Sequence, residues 1–177
     1  MITEVCAVQP YSERGVADHT DGPPVTRLYH GGQGHSGSSP YDCVTCGREV
    51  ASFLHSLRVG VTESGISATA TLTSVGTTPC LQWRDVLVLN WRNVSDNSGI
   101  VKGLQEAGIP VRVLKDDGID DVATARSDVV WVAYGQRVRG LERKVVVCLQ
   151  NPLLDVSARL DFMSRCTSQL VIVSTNH

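Results

Sequence analysis

No Gly-x-x-x-x-Gly-Lys-Ser/Thr loop occurs anywhere in this chain, and no Asp-Glu pair ends an apolar strand. Those are the devices that cradle a nucleotide's phosphates and hold its magnesium, so the chain alone is not expected to hydrolyse ATP. A surplus of charge is missing too: a formal net charge of -2 and a pI near 6.2 give no global attraction for a polyanion. Any nucleic-acid contact would have to come from a local basic face. No segment reaches membrane-spanning length, and Met1 to Cys6 is not a basic region leading into an apolar run. The expectation is therefore an intracellular protein, cytoplasmic or nuclear, with no membrane contact.

The composition is that of an ordinary globular protein, with 42% hydrophobic and 19% charged residues in 177. That length suffices to bury one domain's core without covalent staples. Six cysteines would make an even disulfide set in a secreted chain, but Cys6, Cys80, Cys148 and Cys166 are scattered. The last two sit in apolar surroundings and read as reduced core thiols. Only Cys43 and Cys46 are close enough to share a task.

Residues 1–24 lack periodicity and read as an irregular lead-in before a short strand at Val25–Tyr29. The stretch from His30 to Pro40 is so rich in glycine and serine that it must be a loop. It carries no Gly-Lys-Ser/Thr pattern, which leaves a surface loop as the plain reading. Asp42-Cys43-Val44-Thr45-Cys46-Gly47 follows at once, and Cys-x-x-Cys lets two thiolates meet one tetrahedral ion. With His30 and His35 it makes a possible zinc set, weighed against two reduced cysteines at a helix start and two solvated loop histidines.

Val50, Phe53, Leu54 and Leu57 recur at helical spacing between Arg48 and Leu57, and a long loop is expected over about 60–82. Asp85–Asn90 is a buried strand, Trp91-Arg92-Asn93 the turn at its carboxyl end, and Ser95 or Asp96 the expected N-cap of a helix through Ala107. Gly108 stops that helix, and Ile109–Leu114 starts the next strand. A short helical stretch is expected at Asp121–Ala125, strands at Asp128–Ala133, Val145–Leu149 and Gln169–Val173, and a helix over Val156–Cys166. Such alternation predicts an α/β fold with a mostly parallel three-layer sheet. The charged turn Arg139-Gly140-Leu141-Glu142-Arg143-Lys144 runs straight into Val145-Val146-Val147. It is either a solvated loop or a ligand-facing edge.

Three stretches carry a resemblance. Asp85–Leu89 with Trp91-Arg92-Asn93, then Gly103 to Val113, is similar to a strand, arginine-asparagine turn, helix and Ile-Pro strand found in superfamily 1 helicases of the UvrD-like group. Arg139-Gly140-Leu141-Glu142 resembles the Gly-Leu-Glu core of their motif V, and Met163-Ser164-Arg165-Cys166 before Gln169–Val173 resembles motif VI. The resemblance implies a RecA-like P-loop NTPase fold, lacking its own P-loop, over 25–177. It implies that Arg165 reaches the γ-phosphate of ATP, that Gly140, Glu142 and Arg92 lie at the nucleotide, and that Arg139, Arg143 and Lys144 face DNA or RNA. ATP and Mg would sit on an N-terminal RecA-like domain of the same parent protein. Ala133-Tyr134-Gly135-Gln136 and Cys166-Thr167-Ser168 depart from the family pattern. The alternative is a non-catalytic, helicase-derived protein-interaction module. Bland roles also stand beside each residue: Arg165 as a helix C-terminal cation, Glu142 as a surface ion-pair partner, Arg92 as an exposed turn residue.

Overall fold

The computed structural model describes residues 24–59, 81–151 and 156–175. The expected lead-in up to residue 23 and nearly all of the expected 60–82 loop lie outside the described residues. Six strands, β1 (Val25–His30), β2 (Val86–Asn90), β3 (Val111–Val113), β4 (Val130–Tyr134), β5 (Arg143–Leu149) and β6 (Cys166–Thr175), form one sheet in the order β1-β6-β5-β2-β4-β3. Every pairing is parallel. Among the described residues four α-helices, α1 (Val44–Val59), α2 (Gly99–Glu106), α3 (Ile119–Thr124) and α4 (Val156–Met163), accompany the sheet in an α/β architecture.

A parallel sheet covered on both faces needs strands that are apolar throughout, and the five residues of β2 are all buried. Because side chains alternate, each of the four inner strands, β2, β4, β5 and β6, feeds two cores. Val86, Val88, Val130, Val132, Val145, Val147, Val171 and Val173 pack with Val50, Leu54, Ile100 and Leu104 of α1 and α2. Their neighbours Leu87, Leu89, Trp131, Ala133, Val146, Cys148, Leu170 and Ile172 pack with Val122 of α3 and Phe162 of α4. The two helix layers thus cover opposite faces, and Trp131 is a core residue at 4% exposure.

α1 and α2 meet backbone on backbone. A Cβ on Gly47 would lie 2.6 Å from the Ile100 carbonyl oxygen and 2.8 Å from the Gly103 Cα, and one on Gly103 would run into the Val44 carbonyl oxygen. Only glycine permits that approach.

Some expected boundaries move. α1 begins at Val44 rather than Arg48, so Cys46 lies in its first turn. The α2 N-cap is Ser98, not Ser95 or Asp96, and its side chain makes no capping bond. The Ser95 hydroxyl instead accepts the Asn97 N–H, a local serine turn that holds the chain back from helix for three further residues. α4 stops at Met163, three residues short of Cys166, which already belongs to β6. Gly108 ends α2 as expected: at φ 79° it lets Ile109 N–H donate to the Leu104 carbonyl, the 6→1 closure of a helix end.

Candidate metal centre and the carboxyl edge of the sheet

β1 delivers His30 at its carboxyl end, and the chain then loops through Gly32, Gly34 and Gly37, all at positive φ, before the short 3-10 turn Pro40–Asp42 leads into α1. This path brings His30, His35, Cys43 and Cys46 together, with one ligand atom from each lying within 4.8 Å of all the others. His30 Nδ1 is 3.3 Å from Cys46 Sγ. His35 Nδ1 is 3.5 Å from Cys43 Sγ and 3.4 Å from Cys46 Sγ. Zn–S bonds of about 2.3 Å and Zn–N bonds of about 2.0 Å at a tetrahedral angle require an S···N edge of about 3.5 Å. The three measured edges fall on that value, so the tetrad could hold a metal ion such as zinc.

The surroundings fit the same donor set. With both Nδ1 atoms turned inward, His30 Nε2 is left 3.2 Å from the Gly37 carbonyl and His35 Nε2 is left 3.3 Å from a Glu49 carboxylate oxygen. Outer partners of this kind fix the tautomer and orientation of a ligating imidazole. The Cys46 N–H donates to Cys43 Sγ at 3.4 Å, and both sulfurs are completely buried. Burial pushes the Cys43 thiol up, yet hydrogen bonds from the Ser36 and Cys46 backbone and from the Cys46 and His35 side chains outweigh it and bring its pKa down to about 6. Burial and the neighbouring Cys43 push Cys46 the other way. Two thiols whose ionisation is opposed in this manner gain from a cation that neutralises both. Residues 32–37 also spell Gly-x-Gly-x-x-Gly after a strand. Here α1 starts only at Val44, seven residues past the last of those glycines, so no helix N-terminus stands over the loop as a dinucleotide site requires.

The residues assigned by resemblance are spread over both edges of the sheet. Arg92 follows β2 at the carboxyl edge, is exposed, and stacks its guanidinium 4.1 Å from the Trp91 ring. Arg139 lines a cavity of about 350 Å³ with Trp91, Tyr134, Gln136, Ser157, Asp161 and Phe162. Gly140 takes φ 79° in the turn, beside an exposed Glu142. Arg143 and Lys144 open β5, at the amino edge. The Arg143 guanidinium donates to the Val122 and Glu142 carbonyls, and Lys144 Nζ is 3.1 Å from Asp85. The structure does not bring these two residues to Arg92.

Arg165 is buried at 3% exposure. One of its amino groups donates to the Gly135 carbonyl at 2.7 Å and the Val138 carbonyl at 2.9 Å, and the other to Asp161 at 2.6 Å. It therefore pins the 3-10 turn Gly135–Val138 against α4, where Phe162 packs so closely on Gly135 that no Cβ would fit. The Asp161–Arg165 spacing at a helix end is visible in the sequence; the turn carbonyls that bury the guanidinium are distant in the chain and are not.

No helix among the described residues is long and apolar enough to cross a membrane. No protein-family model matches the chain, and no curated protein matches it.

Proposed function

We propose that this chain is a non-catalytic binding module of helicase-like design, stapled by a zinc ion at His30, His35, Cys43 and Cys46. The engagement of Arg165 carries this reading. A guanidinium that stabilises a transferring phosphoryl group must present its donors to a cleft. Here the donors go to two main-chain carbonyls and a carboxylate of the same chain, and releasing them would take the guanidinium from both buried carbonyls, leaving Val138 the Leu141 N–H alone. Arg143 and Lys144 are likewise committed to intramolecular partners. Zinc is favoured because the donors are two imidazoles and two thiols at tetrahedral spacing, all four positions filled by protein, as in closed structural sites. Its work would be to tie the β1–α1 loop to the first turn of α1.

A second reading, the C-terminal half of a superfamily 1 helicase-like NTPase, draws support from the cavity that sets Arg139 beside Trp91 and Tyr134 at the carboxyl edge. In that reading the chain works with an N-terminal RecA-like domain carrying ATP and Mg, on DNA or RNA.

Phosphate release by such a domain, measured with this chain and with Arg165→Ala, separates the two readings. The binding module is expected to give no stimulation that depends on Arg165. Stimulation lost in the variant, with the variant still folded, would replace it with the helicase half.

A further inference from the structure

β2 and β5 are neighbours, yet the chain leaves them for opposite faces of the sheet: β2 leads to α2 on the α1 side, β5 to α4 on the other. A crevice opens where two such connections part, and open α/β sheets collect ligands there. This one has a volume of about 270 Å³. Asn90 at the end of β2 and Trp91, Arg92 and Asn93 in the turn after it line one side, Asn151 just past β5 lines another, and Ser38, Ser39, Tyr41 and Asp42 close it from the β1–α1 loop. That last wall is the segment between the ligands His35 and Cys43.

We infer that this crevice docks a carboxylate-bearing peptide segment of a partner protein, and that metal at the tetrad and peptide in the crevice strengthen each other's binding. The inference rests on the binding-module reading and gives it a surface and a partner chemistry. The Asn93 amide and the Ser38 hydroxyl offer the mixed donors and acceptors that peptide groups demand, while the Asn90 amide and the Ser39 hydroxyl, which donate to the Arg92 carbonyl and to Asp42, stiffen the lining. The Trp91 ring braces Arg92, whose planar fork matches a carboxylate. The space is below the ~300–1,000 Å³ of small-molecule clefts and suits one or two side chains. A nucleic acid is disfavoured because Arg92 is the only cation in the lining, enough for one carboxylate and not for a run of phosphates. A polyanion needs a basic groove that tracks its backbone.

The coupling to metal is mechanical. Asp42 stands next to Cys43 in the chain, and its carbonyl lies so close to Gly99, at the start of α2, that no Cβ fits between them. The Tyr41 hydroxyl accepts the Ser95 N–H at 2.5 Å, fixing the β2–α2 connection to the same wall. Ser39 and Pro40 accept the Asp42 and Cys43 N–H groups. Metal that holds His35 and Cys43 therefore holds both sides of the crevice.

The test uses the zinc-loaded full chain and the peptide Ac-Ser-Gly-Asp-Gly-Ser-NH2, followed by NMR signals of the Trp91 indole and the Asn90, Asn93 and Asn151 side-chain amides. These signals should shift together, with about tenfold weaker binding for the Asn-for-Asp peptide and for Arg92→Gln, the loss of one charge-assisted contact. A chelated protein that loosens globally would lose binding for the wrong reason, so the reciprocal measurement decides the coupling. Saturating peptide should tighten zinc binding, read against a chromophoric chelator, by the factor by which zinc tightens peptide. Equal affinity for the Asp and Asn peptides, an unchanged zinc affinity, adenosine monophosphate displacing the peptide from these signals, or no shift at about 10 mM peptide would each overturn the inference. Such a result without Arg165-dependent ATPase stimulation removes this site and leaves the binding-module reading standing.

Discussion

The carboxylate of Glu49 stands 3.3 Å from His35 Nε2, on the ring atom that faces away from both thiols. Glu49 lies one turn into α1 from Cys46, so the helix that supplies a sulfur ligand also supplies the acceptor that aims a histidine ligand. Acceptors of this kind are worth about 10–100-fold in metal affinity. Glu49→Gln, which keeps the shape and removes the charge, is expected to weaken zinc binding within that range. A competition titration against a chromophoric chelator checks it, and an unchanged affinity would show that the carboxylate does not orient the ring.

The tetrad itself is expected to bind one zinc per chain, measured by elemental analysis of the purified protein, and Cys43→Ser or Cys46→Ser should abolish that stoichiometry. Metal held in the folded state only, at free zinc about 1,000 times its dissociation constant, contributes about 4 kcal/mol. In a chain of this size that corresponds to a fall in melting temperature on chelation of about 10 °C. No metal in the wild type, together with a melting curve indifferent to chelator, would return the four residues to reduced thiols and solvated histidines.

Arg165→Met is expected to be strongly destabilising. The substitution removes a buried guanidinium and its bonds to the Gly135 and Val138 carbonyls, the latter keeping the Leu141 N–H, and each lost charge-assisted bond is worth about 1.5–3 kcal/mol. Denaturation in urea should show a loss of about 3 kcal/mol with an unchanged slope. A variant as stable as the wild type would mean that the arginine's contacts are dispensable and that it is free to serve a ligand.

How far these features were legible in the sequence depended on their range. The strands β2 and β5 announced themselves because a strand buried on both faces must be apolar at every position, as Val86–Leu89 and Val145–Leu149 are. Gly108 announced the end of α2 because a left-handed closure calls for glycine. The Cys-x-x-Cys spacing and the nearby histidines were visible as residue types, but nothing in the spacing said that β1 would pair with β6 at the sheet's edge and bring its carboxyl end beside α1. What could not be read was the fate of individual cations. Arg165 and Arg92 look equivalent in a motif, yet one is buried against the carbonyls of a turn about 30 residues away in the chain and the other is exposed on a tryptophan. The serine turn that delays α2 to Gly99 was hidden for the same reason: Ser95, Asp96 and Ser98 are all competent caps by type.

Among the described residues, the two thiols outside the tetrad should be silent. Cys148 is held up to about 12 by burial, with the Cys166 sulfur adding to it, and burial likewise raises Cys166. A raised thiol pKa means that the reactive thiolate is scarce below that value and grows only as pH rises through it. At pH 7.5 iodoacetamide is therefore expected to leave Cys148 and Cys166 unmodified in the folded protein, as read by peptide mass mapping, and to reach them only after denaturation. Modification of Cys148 at the rate of a model thiol would show that the α4 layer opens.

Gly103→Ala tests whether the metal centre and the helix pair behave as one unit. A single added methyl would meet the Val44 carbonyl oxygen and lie 2.7 Å from the Gly47 Cα, both backbone atoms that cannot rotate away. α2 must then move off α1, and overpacking of this kind costs about 1–3 kcal/mol. Val44 sits between Cys43 and Cys46 in the chain, so the displaced backbone is the one that spaces the two sulfurs. The substitution should accordingly lower both the melting temperature and the zinc affinity, although residue 103 touches no ligand atom. Loss of stability with zinc affinity unchanged would mean that the sulfur pair is rigid on its own and that the glycine contact serves packing alone.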